Sequence, residues 1–160
     1  MTIQTIYVIR LDKKIWLLRN MKISGLTENQ LLDAYKKEVR SLLELAVPVW
    51  NSGLTIEQID QLERVQKLAL SAILGEKYES YEKALDKTKL ERLSERRKKI
   101  CIKFIKKNMK SERPLFQVIN KSHLTRSNPN LVQEIQCRTN AYFDSSKPYL
   151  ARLMNSQIKS

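Results

Sequence analysis

The sequence predicts an all-α fold, a small helical bundle around an antiparallel helical hairpin, and three observations carry that expectation. The 160 residues include only 3 glycines and 4 prolines, too few turn formers for a sandwich or barrel of many short strands. Apolar residues recur at three- and four-residue steps, as in Ile59, Leu62, Val65, Ala69 and Ile73, which marks one face of a helix. Two Ser/Thr-x-x-Glu/Gln capping boxes, Thr27 with Gln30 and Thr55 with Gln58, announce helix starts by reciprocal side-chain bonds to orphan amides. An apolar content of 42% suits a packed core, and a chain of this length buries roughly 70% of its unfolded surface as one domain.

Taken in order, Tyr7, Val8 and Ile9 leave a strand open before Arg10, and from Asp12 onward a helix fits better. Ser24-Gly25 breaks it, and the Thr27 box opens a second helix with Leu31, Leu32, Tyr35, Val39, Leu42, Leu43 and Ala46 on one face. Pro48 removes an amide and clashes with the preceding turn, so this helix is expected to kink or end near Val47. Asn51-Ser52-Gly53 forms a tight corner over which Trp50 covers both helices, and the returning helix closes at Gly75. On its outer side, Asp60 with Arg64 and Glu63 with Lys67 stand four apart as acid-to-base pairs. A short helix capped at Ser80 follows, then a long one from about Leu90 to Met109 with Leu90, Leu93, Ile100, Cys101 and Phe104 on its apolar arc.

The expected domain layout is a helical domain over 1–110, then an irregular linker with a short C-terminal helix over 111–160. In the latter, Leu115 to Ile119 is one apolar piece, Glu134 to Tyr142 reads as a strand or irregular, and Lys147 to Asn155 as the last helix, with Pro148 in its first turn.

Thirty Lys and Arg against 17 Asp and Glu give a net charge of +13, a balance that points to a polyanionic partner, nucleic acid ahead of a membrane surface. Residues 87–110 hold 11 basic and 2 acidic side chains. Arg92, Arg96, Lys99, Lys103, Lys106, Lys107 and Lys110 line the side of the long helix opposite its apolar arc and are the candidate nucleic-acid-binding residues. Lysine predominates over arginine there, which favours holding the phosphate backbone over reading base edges. The competing reading is the solvated outer face that every amphipathic helix has, though such faces normally mix both signs.

Other candidates are weaker. Arg97 lies near the apolar arc, to pair with Glu44 or Glu63 or to snorkel outward. Gln66 reads as a satisfied core amide, and Tyr35, Trp50 and Phe104 as core aromatics in preference to base-stacking ones. The one histidine, His123 beside Ser122, has no spaced carboxylate or cysteine partner. There is no glycine-rich phosphate loop and no metal-ligand spacing, so no catalytic residues, metal or cofactor are expected. Cys101 and Cys137 make no disulfide framework and point to a reducing, intracellular setting, nuclear or cytoplasmic. The first residues lack the features of a signal peptide, and no run of 18 apolar residues suggests a membrane span.

Leu17-Leu18-Arg19, Leu31 with Tyr35, Val39-Arg40-Ser41-Leu42-Leu43-Glu44, Pro48-Val49-Trp50, Leu54-Thr55 and Leu62-Glu63-Arg64-Val65-Gln66-Lys67 through Ile73-Leu74-Gly75 form an ordered series. Ser80 to Leu85, Leu93 to Arg97, Cys101 to Phe104, Arg138 to Tyr142 and Pro148 to Asn155 continue it. In order and spacing it resembles the region after the palm in reverse transcriptases of non-LTR (LINE-type, jockey-like) retrotransposons. The resemblance covers about residues 16–110 and, more weakly, 138–155. It implies a helical thumb, which in that family grips the template–primer duplex. The family's Tyr-x-Asp-Asp palm motif has no counterpart here, nor does its endonuclease, so the expectation is a non-catalytic fragment or degenerate copy that binds RNA–DNA or other duplex through backbone contacts. The alternatives are a protein–protein or self-association module, using surfaces that once faced a palm around Tyr35, Trp50 and the first helix, or a reading frame with no selected function.

Overall fold

The computed structural model describes residues 3–111, 115–116, 132–133 and 135–159. Its elements are helical, and there is no sheet among the described residues. The chain divides into two compact units, the first formed by residues 1–45 and 56–95, the second by 46–55 and 96–160. This cuts the chain elsewhere than the anticipated boundary at 110.

In the first unit, α1 (Ile3–Ile23) is helical from its third residue, so the strand left open before Arg10 is not formed. Thr27 caps α2 (Glu28–Ala34) with both bonds of the expected capping box in place. The helix continues unbroken through a π-helical turn (Tyr35–Arg40) into α3 (Ser41–Glu44). Leu31, Tyr35, Val39 and Leu43 are all buried and stand strictly four apart, a step that overshoots an α-turn by about 40°. A wide i→i+5 turn takes up that excess and keeps all four on one face.

α5 (Ile56–Leu74) begins directly after Thr55, where the second box places it, and buries Gln66, Ala69, Leu70, Ile73 and Leu74. Lys22 Nζ, at the end of α1, donates to the Ile73 carbonyl at 2.9 Å, so α1 and α5 close together at their C-terminal ends. Lys14 of α1 pairs with Glu38, and Lys77 pairs with Glu28 at 2.6 Å, which sets α2 antiparallel to both. Gly75 takes the left-handed φ of +60° expected of it, and a Cβ there would collide with Lys22 Nζ.

α6 (Tyr81–Thr88) is capped by Ser80, whose hydroxyl accepts from Lys83 N at 3.3 Å. Leu11, Leu18, Leu31, Tyr35, Val39, Leu43, Ala69, Ile73 and Leu93 form the main core, with Leu70, Leu74, Ala84 and Leu85 beside it.

Several local expectations are corrected here. The second helix ends at Glu44, where Leu45 turns extended and Ala46 is left-handed at φ 53°. Pro48 does not stop it; it sits in the first turn of α4 (Val47–Trp50), where a missing amide costs nothing. Asn51–Gly53 is a 3-10 turn within a longer connection. Trp50 does not bridge the hairpin; with Val47 it joins the core of the second unit. Asp60–Arg64 and Glu63–Lys67 form no ion pairs among the described residues. Instead Glu63 accepts from the Tyr81 hydroxyl at 2.6 Å and from Ser94 N at 2.8 Å, and Lys67 lies 5.2 Å from the Tyr81 ring centre.

The second unit holds α4, residues 96–109 of α7 (Leu93–Met109), α8 (Asn140–Phe143) and α9 (Ser146–Lys159). Its core is Val47, Cys101, Ile105, Phe116, Val132, Leu150, Ala151 and Met154, each large aliphatic side chain contributing roughly 2 kcal/mol by burial. This packing is why residues 96–110 group with the C-terminal segment. The last helix is longer than expected, at 14 residues; of the stretch expected as strand or irregular, the described residues 135–139 are irregular, and α8 begins at Asn140. Asn155, 3% exposed, clamps residue 132: its Oδ1 accepts from Val132 N and its Nδ2 donates to Val132 O, both at 3.0 Å. Of the expected linker, Phe116 and Val132 are buried core residues. Residues 117–131, with Ser122 and His123, lie outside the described residues.

Candidate nucleic-acid interface

The basic helix begins at Leu93, three residues after the expected start. Its first turn is held by the Glu63 carboxylate on Ser94 N, which satisfies one of the orphan amides at a helix N-terminus and sets a negative charge at the positive end of the dipole. Leu93, Arg97, Cys101 and Ile105 are buried. They form an i, i+4 row that fixes which side of α7 faces inward. Ile105, fully buried, is absent from the expected arc; its spacing four after Cys101 is the signal that points to it.

That row leaves the opposite side to solvent. Lys99, Lys103, Lys106 and Lys110 are all exposed and span about 60° around the helix axis and about 16 Å along it. Lys107 is exposed and Arg96 half-buried beside them. Among the described residues, Lys103, Lys106, Lys107 and Lys110 make no ion pair. Their i, i+3 and i, i+4 neighbours are like charges, each pair costing a few tenths of a kcal/mol, a repulsion that a polyanion relieves. Arg92 is different: it precedes α7, belongs to the first unit, pairs with Glu82 and lies 5.9 Å from the Tyr81 ring centre.

The two units differ sharply in charge. Residues 1–45 with 56–95 hold 15 Lys and Arg against 14 Asp and Glu; residues 46–55 with 96–160 hold 15 against 3. Nearly the whole of the chain's net positive charge, +12 of +13, therefore resides in the unit that presents the lysine row. A charge count along the whole sequence conceals this when the C-terminal segment is taken for a linker, and Arg138, Lys147 and Arg152 of that segment escape it.

Arg97 does not snorkel. It is 3% exposed, and its Nε donates to Asn51 Oδ1 at 3.0 Å, while Asn51 Nδ2 donates to the Tyr149 hydroxyl at 2.9 Å. Glu63, one of its two expected partners, is committed to Tyr81 and Ser94. Gln66 is a core amide as expected, but only half satisfied: Nε2 donates to the Glu91 carbonyl at 3.1 Å, and Oε1 has no partner among the described residues. Tyr35 is fully buried, and Trp50 and Phe104 pack against the second core, so these three are core aromatics.

Burial pushes the Cys101 thiol up to about 11, against a smaller opposing effect of nearby Arg97. The unfolded chain ionises this thiol near its ordinary value of about 9, whereas the fold keeps it neutral. Stability from Cys101 is therefore complete below about pH 9 and falls as pH rises from about 9 to about 11, by up to about 1.4 kcal/mol per pH unit. Tyr149, raised chiefly by burial, extends the loss above about pH 10. Thermal melts from neutral to strongly alkaline pH should show this decline, and Cys101→Ala should flatten its lower part; a flat wild-type profile would contradict it.

Among the described residues, no group of three His, Cys, Asp or Glu side chains could hold a metal ion, and no helix is long and apolar enough to cross a membrane. Comparison with known proteins gives no match: no family model, no curated protein and no solved structure is significantly similar to the chain.

Proposed function

We propose that the chain is a non-catalytic, sequence-independent nucleic-acid-binding protein that grips the phosphate backbone through α7, as the resemblance to the thumb region of non-LTR retrotransposon reverse transcriptases implies. The observation that carries this reading is the exposed row Lys99, Lys103, Lys106 and Lys110 in a unit with 15 basic and 3 acidic residues. An ordinary solvated face would mix signs, as the first unit does. Fluorescence anisotropy with an RNA–DNA duplex tests it: log K should fall linearly with log salt, by about 0.9 per phosphate neutralised in the duplex-DNA limit. Binding indifferent to salt, or none at low salt, overturns the reading.

A second reading, self-association or docking to a protein, is favoured by one observation. Trp16, on α1, is 64% exposed, a large ring offered to solvent on the nearly neutral unit. The surface expected around Tyr35 and Trp50 is not there, since the former is buried and the latter half-buried. If Trp16 seats a second copy, the sedimentation-derived mass rises with concentration in the absence of nucleic acid, and Trp16→Ser abolishes that rise. A monomer at every concentration removes self-association from consideration.

A further inference from the structure

We infer that the corner formed by α8 and the middle of α9 is a stacking platform for unpaired bases, so that the second unit takes single-stranded nucleic acid as well as duplex. The inference rests on the nucleic-acid reading above and deepens it.

α8 is a single turn carrying two adjacent large aromatic residues, Tyr142 and Phe143, exposed by 44% and 46%. A lone exposed ring is ordinary on a protein surface. Here two neighbouring rings are held out on a turn that is fixed from three sides. Thr139 Oγ1 accepts from Tyr142 N at 3.3 Å, Ser145 Oγ donates to Tyr142 O at 2.7 Å, and Arg152 Nη2 donates to Phe143 O at 2.8 Å.

Arg152 does more than hold the backbone. Its guanidinium carbon lies 3.6 Å from the Phe143 ring centre, the separation of a cation stacked on a ring face. A planar guanidinium on an aromatic face is itself a surface on which a base can stack. The platform stands in the unit with 15 basic and 3 acidic residues; one of the three, the exposed Asp144, directly follows Phe143, but the net excess of the unit still draws in the phosphates of the same strand. Rings with π-faces, an arginine plane and a net-basic unit are what unspecific single-strand binding requires.

The test compares an oligothymidylate of about 16 nucleotides, a length within the usual single-strand site sizes, with an abasic strand of equal length and charge at low salt. Stacking favours each base-bearing position severalfold, so the wild-type protein should prefer the base-bearing strand at least about fivefold. Tyr142→Leu with Phe143→Leu keeps apolar cover and removes the rings. Arg152→Lys keeps the charge and removes the plane. The double variant should bind both strands alike, and Arg152→Lys should show a reduced preference. Circular dichroism identifies any variant that has lost its fold. Equal wild-type affinity for the two strands, or a preference that survives in both variants, overturns the platform and leaves backbone binding standing. Absence of binding to either strand overturns both.

Discussion

Replacing Lys103, Lys106 and Lys110 together with glutamate is expected to weaken duplex binding about 100- to 1000-fold near 0.1 M salt. Counterion release sets this size. Each phosphate that is no longer neutralised takes about 0.9 off the slope of log K against log salt, and three of them at that salt amount to roughly 2.7 decades. The salt slope itself should drop by about 3, a readout that a merely misfolded protein would not give. All three side chains are exposed and make no ion pair among the described residues, so the reversal should leave thermal stability near that of the wild type. A glutamate at 103 stands four residues from Lys99 and Lys107 and relieves crowding there, while glutamates at 106 and 110 repel one another and meet the negative end of the α7 dipole, so the opposing effects of a few tenths of a kcal/mol each largely cancel. An affinity loss below about tenfold, with the slope unchanged, would place the binding surface elsewhere.

The second large effect concerns stability. Glu63→Ala is expected to cost about 3 kcal/mol, because the carboxylate accepts two hydrogen bonds at once, from the Tyr81 hydroxyl at 2.6 Å and Ser94 N at 2.8 Å. Bonds to a charged acceptor contribute about 1.5–3 kcal/mol each, and deletion strands a half-buried donor at the start of α7. Desolvation and the hydrogen bond to Glu63 hold the Tyr81 hydroxyl protonated well above its ordinary range, so this bond is present at neutral pH. Urea unfolding followed by circular dichroism measures the cost. Glu63→Gln, which keeps one acceptor oxygen for the Ser94 amide and loses the carboxylate oxygen that the Tyr81 hydroxyl uses, should recover part of it, and in a double-mutant cycle with Tyr81→Phe the two losses should overlap. A loss under about 1 kcal/mol would show that Leu93 burial alone fixes the start of α7.

The limits of reading this chain from its sequence appear at particular residues. Thr27, Thr55, Ser80 and Gly75 are legible because caps and left-handed stops depend on neighbours within a few positions. The side of α7 that faces solvent is legible from periodicity, and so is its lysine row. Pro48 misleads because the same missing amide that ends one helix is harmless in the first turn of the next, and only the extended Leu45 and left-handed Ala46 decide between them. Arg97 misleads because an exposed and a buried guanidinium look alike in sequence; one acceptor of its buried guanidinium, Asn51, lies 46 positions away. Glu63 and Lys67 stand at a favourable helical spacing, yet the Tyr81 hydroxyl and the Ser94 amide, from elements far along the chain, offer the carboxylate better-placed donors than an exposed lysine.

The sequence by itself determined the helical class, most helix starts, most of the apolar face of the hairpin helices and of α7, and the excess of positive charge. Each of these follows from local period, local capping or composition. Tertiary structure alone decided that residues 46–55 leave the hairpin and pack with the C-terminal segment, that the supposed linker supplies core residues such as Phe116 and Val132, and that the net positive charge falls almost entirely into one unit. Those outcomes depend on which apolar face meets which across long stretches of chain, and burial is a non-directional force that leaves no periodic mark in the sequence of where its partner lies.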